Sequence, residues 1–154
     1  MAMFKYKKVD HDVLSNIPGL IEKLSSDSEI AAIYLFGSYA EGKQNINSDI
    51  DLAILLVMEF PADRYLEKKL DLLALAVSEL KTDEVDLVIL NQAPVTLTYQ
   101  VFCKGKLLWG KKEQKGWRVS FQASAYDRYF DFKPVEKIFH EGMIRRIREG
   151  RFGG

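Results

Sequence analysis

A chain of 154 residues, 47% hydrophobic and 29% charged, carries enough apolar material for one domain with a real core. Its 22 basic and 22 acidic side chains balance to a formal net charge of zero, which excludes a nucleic-acid binder held by bulk charge. The longest aliphatic run, Leu52 to Met58, is far too short for a bilayer, and the opening MAMFKYKKVD lacks the apolar stretch of a signal peptide. Cys103 is the single cysteine and forms no internal disulfide, so a reducing, cytoplasmic location is the simple reading. His11 and His140 lie at opposite ends of the chain and make no zinc spacing.

In chain order, residues 10–24 predict one or two short helical turns around Pro18-Gly19. Val13, Leu14, Ile17, Leu20, Ile21 and Leu24 recur there at near-helical spacing. Ile30 to Phe36 is rich in strand formers and stops at Gly37. Asp49 to Val57 predicts a second strand, apolar on both faces beyond its aspartates, as in a strand covered on both sides. Pro61 opens a helix to about Lys81, and Leu66, Leu70, Leu73, Val77 and Leu80 form the stripe expected to pack on the core. Glu84 to Leu90 is a third strand. A short helix from Pro94 to Cys103 follows, then Gly105 and a short strand, LLWG. Lys111 to Lys115 reads as a charged, solvated turn.

Trp117 to Arg151 is helical in character, with Pro134 expected to divide it. Tyr99, Tyr126, Tyr129, Phe130 and Phe132 are expected to pack this tail. Arg145, Arg146, Arg148 and Arg151 read either as a solvated face with favourable charge near a helix C-terminus or as a contact for an acidic partner; for RNA the solvated face is the better reading. The order of elements implies an α/β (α+β) domain with a small mixed sheet flanked by helices. Residues 1–112 form its core and residues 113–154 a helical extension packed on it.

The chemistry concentrates in GSYAEGKQNINSDIDLAILL, residues 37 to 56. Residues i and i+2 of a strand share a face, roughly 7 Å apart, so Asp49 and Asp51 can converge on one hard cation. Two adjacent carboxylates repel unless a divalent ion such as Mg²⁺ balances them. Gly37 lets the backbone come close to a ligand, and the Ser38 hydroxyl with free N–H groups suits phosphate. Taken alone, Gly37-Ser38 reads better as an ordinary turn, and for the Asp49/Asp51 pair alone an Asx-type turn over Asn47-Ser48-Asp49, with Asp49 capping backbone donors, is an equal alternative. Two features tip the balance. Asp51 is followed at once by LAILL, too deep in a strand for a turn cap. Asp86, in VDLVIL, repeats the pattern. If the two strands are neighbours, three carboxylates at one end of the sheet form a two-metal site.

Gly37-Ser38, ten intervening residues, Asp49-Ile50-Asp51 and a later strand with a lone aspartate together resemble the DNA polymerase β-type nucleotidyltransferase superfamily. IYLFGSYAEG, NSDIDLAIL, VDLVILNQAP and YDRYFDFKP are similar to the minimal nucleotidyltransferases, and more narrowly to the antitoxins of HEPN/MNT toxin–antitoxin pairs. The resemblance runs from Ile30 to Pro134. It implies a polymerase β-like fold, with Gly37 and Ser38 on the triphosphate of ATP and Asp49, Asp51 and Asp86 as the Mg²⁺ ligands and catalytic acids. It implies transfer of AMP to a tyrosine of a HEPN-domain RNase toxin, within a type VII-like system and a hetero-oligomer. An antitoxin that neutralises by binding, or a nucleotidyltransferase of small molecules, are the alternatives. Many relatives carry a basic residue where this chain has Glu41, which leaves Lys43 as its candidate substitute.

Overall fold

The computed structural model describes residues 13–45 and 48–148. Its order is α1 (Ile17–Ser25), β1 (Ile30–Phe36), α2 (Gly37–Ala40), β2 (Ile50–Leu56), α3 (Tyr65–Leu80), β3 (Val85–Ile89), α4 (Val95–Lys104), β4 (Lys106–Gly110) and α5 (Lys115–Arg148). The four strands form one mixed sheet in the order β3-β2-β1-β4. β1 runs antiparallel to both β2 and β4, whereas β2 and β3 are parallel. A parallel pair needs a crossover connection, and α3 supplies it.

The central strands are apolar throughout because both sheet faces are covered. In β1, Ile30 to Ile33 have no exposed surface, nor have Leu52 to Leu56 in β2. Tyr34 meets Phe102 of α4 edge-on at 5.4 Å, and Phe102 meets Phe121 of α5 at 6.0 Å, so α4 and α5 cover one face. α1 and α3 pack together on the other. The far end of β2 is tied down by side chains. Asn91 accepts from the Leu56 N–H at 2.8 Å and donates to its carbonyl at 3.0 Å, and Trp117 Nε1 donates to the same carbonyl at 3.0 Å. Among the described residues, no helix is long and apolar enough to cross a membrane.

Three expectations need correction. The α3 stripe is rotated. Leu66 and Leu70 are 67% and 55% exposed, while Leu72, Ala76 and Leu80 are buried, with Tyr65, Leu73 and Leu75 packed against the core. α3 is leucine-rich on more than one side, and the face that carries Leu72, Ala76 and Leu80 is the one buried. The helix also starts later, at Tyr65, after a 3-10 turn over Ala62–Arg64. Pro134 does not divide the tail. α5 runs continuously through it, since the hydrogen bond Pro134 cannot make would end on a carbonyl of an exposed segment, where water serves instead. The charged, solvated turn expected at Lys111 to Lys115 is present as a 3-10 turn, Lys112–Gln114, leading straight into α5 at Lys115.

The aromatic tail residues cluster around Tyr99, which stacks on Tyr129 at 3.7 Å and meets Tyr126 and Phe130 at 5.5 and 6.0 Å. Phe132 is 40% exposed. His11 and Arg151 lie outside the described residues.

Candidate functional site

The register of the sheet decides where the acidic residues stand. Asp51 is opposite Phe36 in β1 and opposite Asp86 in β3. Paired residues of neighbouring strands point to the same side, so Asp51 and Asp86 are neighbours on the face that also carries Tyr34. Asp49 falls just before β2 rather than within it and is exposed, as is Asp86; Asp51 is half-buried. Ile50 N–H donates to the Glu84 carbonyl at 2.9 Å, which aligns the starts of the two strands and thus the two aspartates.

Gly37 closes the site from the β1 side. Its φ of 72° is a left-handed backbone that side chains rarely tolerate. A Cβ built there would overlap Asp51 Oδ2, so the Asp51 carboxylate occupies the space that only glycine leaves empty. From Gly37 the chain makes the single helical turn α2, held by Glu41 N–H donating to the Gly37 carbonyl at 3.2 Å and Lys43 N–H to the Ser38 carbonyl at 2.9 Å. Ser38 is half-buried at the start of this turn. Glu41 caps its end and pairs with Lys43 at 3.6 Å, both on the exposed loop. That pairing sets Lys43's charge against Glu41's within the loop.

The electrostatics are those of an unbalanced acidic group. Asp51 is pushed up to about 6, first by burial, then by the charges of Asp86 and Asp49. Among the described residues, no cation pairs with any of the three. Nor, among the described residues, are three His, Cys, Asp or Glu side chains grouped as a ready-made metal cage. The expected convergence is therefore an adjacent pair, Asp51 and Asp86, with Asp49 at the mouth of its strand. This donor set fits Mg²⁺, a hard ion that takes one or two carboxylates and draws its remaining ligands from phosphate and water.

The same face holds a polar pair that sequence reading had no signal to find. Tyr34 Oη and Arg118 Nε are both buried, and the Arg118 side chain lies beside the Tyr34 hydroxyl. Burial raises the Tyr34 hydroxyl's pKa, and the nearby Arg118 charge pulls it partly back. Arg118 packs against Gly110, where its Nε lies 3.1 Å from the position a Cβ would take. The two residues are 84 positions apart in the chain, and only the docking of α5 on β1 and β4 brings them together.

A strand, a glycine turn, a second strand led by aspartates and a third strand with its own aspartate define a nucleotidyltransferase core. The family model for polymerase beta nucleotidyltransferases matches residues 19–114, and the chain belongs to that family. It is 42% identical over 97 residues to the protein adenylyltransferase MntA of Shewanella oneidensis, a stretch covering 60% of this chain and 65% of that protein. The chain thus matches just under two thirds of that relative's length. Among solved structures, it resembles a chain of a toxin–antitoxin complex with AMP-PNP (TM-score 0.62, 29% identical, 84% of this chain and 97% of that one). It also resembles a chain of the tri-AMPylated Shewanella oneidensis HEPN toxin in complex with MNT antitoxin (TM-score 0.62, 26% identical, 86% and 99%).

Proposed function

We propose that this chain is an antitoxin that acts as a protein adenylyltransferase, moving AMP from ATP to a tyrosine of a HEPN-domain toxin. The observation that carries the reading is the in-register Asp51–Asp86 pair facing the Gly37 turn. The likeness to an adenylyltransferase and to complexes containing an AMPylated toxin supports it. The reading places the protein in the cytoplasm, in a hetero-oligomer with its toxin.

In this reading Gly37 and Ser38 hold the triphosphate of ATP through backbone N–H groups and the Ser38 hydroxyl. Asp49, Asp51 and Asp86 would hold Mg²⁺, which when bound neutralises charge on the carboxylates and phosphates. A tyrosine hydroxyl, with an ordinary pKa of about 10, is a poor nucleophile until its proton is taken. Asp86 is exposed at the edge strand, open to an incoming acceptor, and receives that proton. The phenolate oxygen bonds to the α-phosphorus, the bond to the bridging oxygen breaks, and pyrophosphate leaves. Such transfers depend on positioning and charge neutralisation more than on covalent help from the protein.

The test is the intact mass of the HEPN partner after incubation with this protein, ATP and Mg²⁺. An AMP-sized gain, lost in Asp49→Ala/Asp51→Ala, is expected. If the double variant silences the partner equally well with no mass change, neutralisation is by binding and the catalytic reading fails.

A further inference from the structure

The turn that carries Gly37 and Ser38 ends in a charged pair that the transfer step leaves unused. Helix α2 closes as a Schellman motif. Glu41 occupies the cap, Gly42 takes a left-handed φ of 70°, and the Lys43 N–H donates back to the Ser38 carbonyl at 2.9 Å. A Cβ on Gly42 would meet nothing within 4 Å, so glycine is required there by the backbone conformation and not by space. That conformation folds the chain back and fixes the Lys43 backbone against Ser38.

The groups along the turn follow an order. Gly37 abuts the Asp51 carboxylate. Ser38 comes next, and Lys43 is tied to Ser38; among the described residues no ion pair joins Lys43 to the aspartates. A triphosphate with its α-phosphorus at the aspartates, running along Gly37 and Ser38, therefore brings its β- and γ-phosphates to Lys43.

Lys43 reaches that position already engaged. Its Nζ lies 3.6 Å from Glu41 Oε1, with the Glu41 side chain 30% exposed and the Lys43 side chain 76% exposed. An exposed pair of that length is weak. A phosphate carries more charge than a carboxylate and bonds an ammonium strongly, so it can draw the lysine away. The Glu41 carboxylate competes for the same ammonium.

We infer that Lys43 is the cation for the terminal phosphates and that Glu41 tempers it. Lys43 leaves Glu41 for the β- and γ-phosphates when ATP binds and returns to it as pyrophosphate departs. Glu41 thereby lowers the affinity for ATP and for pyrophosphate alike and eases product release. Lys43 is a binding residue, and Glu41 a positioning residue that acts through it. This assignment rests on the proposed function for the place of the triphosphate. The rival cation is Lys104, exposed at the end of α4, the helix that packs on α2, but it lacks the tie to Ser38.

The experiment measures binding of Mg²⁺–ATP, Mg²⁺–pyrophosphate and AMP by calorimetry. The full chain is compared with Lys43→Ala, Glu41→Gln, the double variant and Lys104→Ala, with Tm recorded for each to confirm folding. Lys43→Ala is expected to weaken ATP and pyrophosphate binding about tenfold and to leave AMP unchanged. Glu41→Gln is expected to tighten ATP and pyrophosphate about two- to fivefold, again with AMP unchanged, and to lose most of that gain in the Lys43→Ala background. Unchanged pyrophosphate binding in Lys43→Ala, or a loss carried by Lys104→Ala instead, overturns the assignment of Lys43. An equal gain from Glu41→Gln with and without Lys43 overturns the coupling, because Glu41 then acts by repulsion alone. If the unaltered chain binds ATP and pyrophosphate through Lys43 yet moves no AMP to its partner, the inference stands and the adenylyltransferase reading fails. If it binds neither, both fail.

Discussion

Replacing Asp51 with asparagine is expected to stabilise the protein in the absence of divalent metal, although it removes a residue placed at the centre of the site. The Asp51 carboxyl rises from an ordinary 3.8 to about 6 because burial and the charges of Asp86 and Asp49 disfavour its ionised form. Between about pH 4 and pH 6 the folded protein keeps a proton that the unfolded chain has given up. Stability therefore falls as pH rises through that window, and the full penalty is present above pH 6. A rise of roughly two pH units corresponds to about 3 kcal/mol at about 1.4 kcal/mol per unit. Asp51 is only half-buried, so solvent screening reduces this to about 1 kcal/mol. For a domain of this size that is about 3 °C in Tm. Calorimetry in EDTA from pH 4 to 8 should show Asp51→Asn melting higher at pH 7.5, with the gain gone near pH 4. Adding Mg²⁺–ATP should raise the Tm of the unaltered protein and leave the variant's nearly unchanged. An Asp51→Asn protein that melts lower than its parent at pH 7.5 in EDTA would falsify the reasoning, because the carboxylate would then be making a favourable contact.

Gly37→Ala combines a disfavoured φ, costing about 1–2 kcal/mol, with overlap on the Asp51 carboxylate. Its Tm loss should shrink in an Asp51→Ala background, where only the backbone cost remains, and equal losses in both backgrounds would refute the steric argument. Lys81 ends α3 at φ 57°, so Lys81→Gly should raise Tm by about 0.5–1 kcal/mol equivalent, measured by thermal melting, without changing AMP transfer. Trp117→Phe removes the indole donor to the Leu56 carbonyl and should cost about 1 kcal/mol in urea unfolding, leaving ATP binding intact.

The strands and the acidic pair were legible in the sequence because each rests on a local signal. IAAIYLF and LAILL are apolar on both faces, which only a sheet covered on both sides demands. The helix between Asp51 and Asp86 has the length a parallel crossover needs, so the two aspartates arrive at the same sheet end by topology. The register that sets Asp51 beside Asp86 needs the hydrogen bond from Ile50 to Glu84, which no local pattern announces. Likewise, the leucines of α3 outline more than one plausible face. The buried one, carrying Leu72, Ala76 and Leu80, is chosen by how the helix docks on the domain, a tertiary fact. The distal half of α5 is a further tertiary matter. Its apolar residues Val135, Ile138 and Phe139 are exposed, because α4 is too short to cover them.

The three acids do not share the cost of the site equally, and the inequality can be measured. Asp49 and Asp86 are exposed, whereas Asp51 sits between them and against the Gly37 turn. Repulsion within the group therefore falls mainly on Asp51, with Asp86 the stronger source and Asp49 the weaker. Neutralising a neighbour relieves only its share of that repulsion and leaves the burial cost in place. Tm in EDTA at pH 7.5 should thus rise most for Asp51→Asn, less for Asp86→Asn and least for Asp49→Asn, the last two by less than half of the first. All three should lose AMP transfer, so the order of stability gains is independent of the order of activity losses. A larger gain from Asp49→Asn than from Asp51→Asn would place the buried charge on the loop rather than on the strand, and the arrangement argued from the sheet register would be wrong.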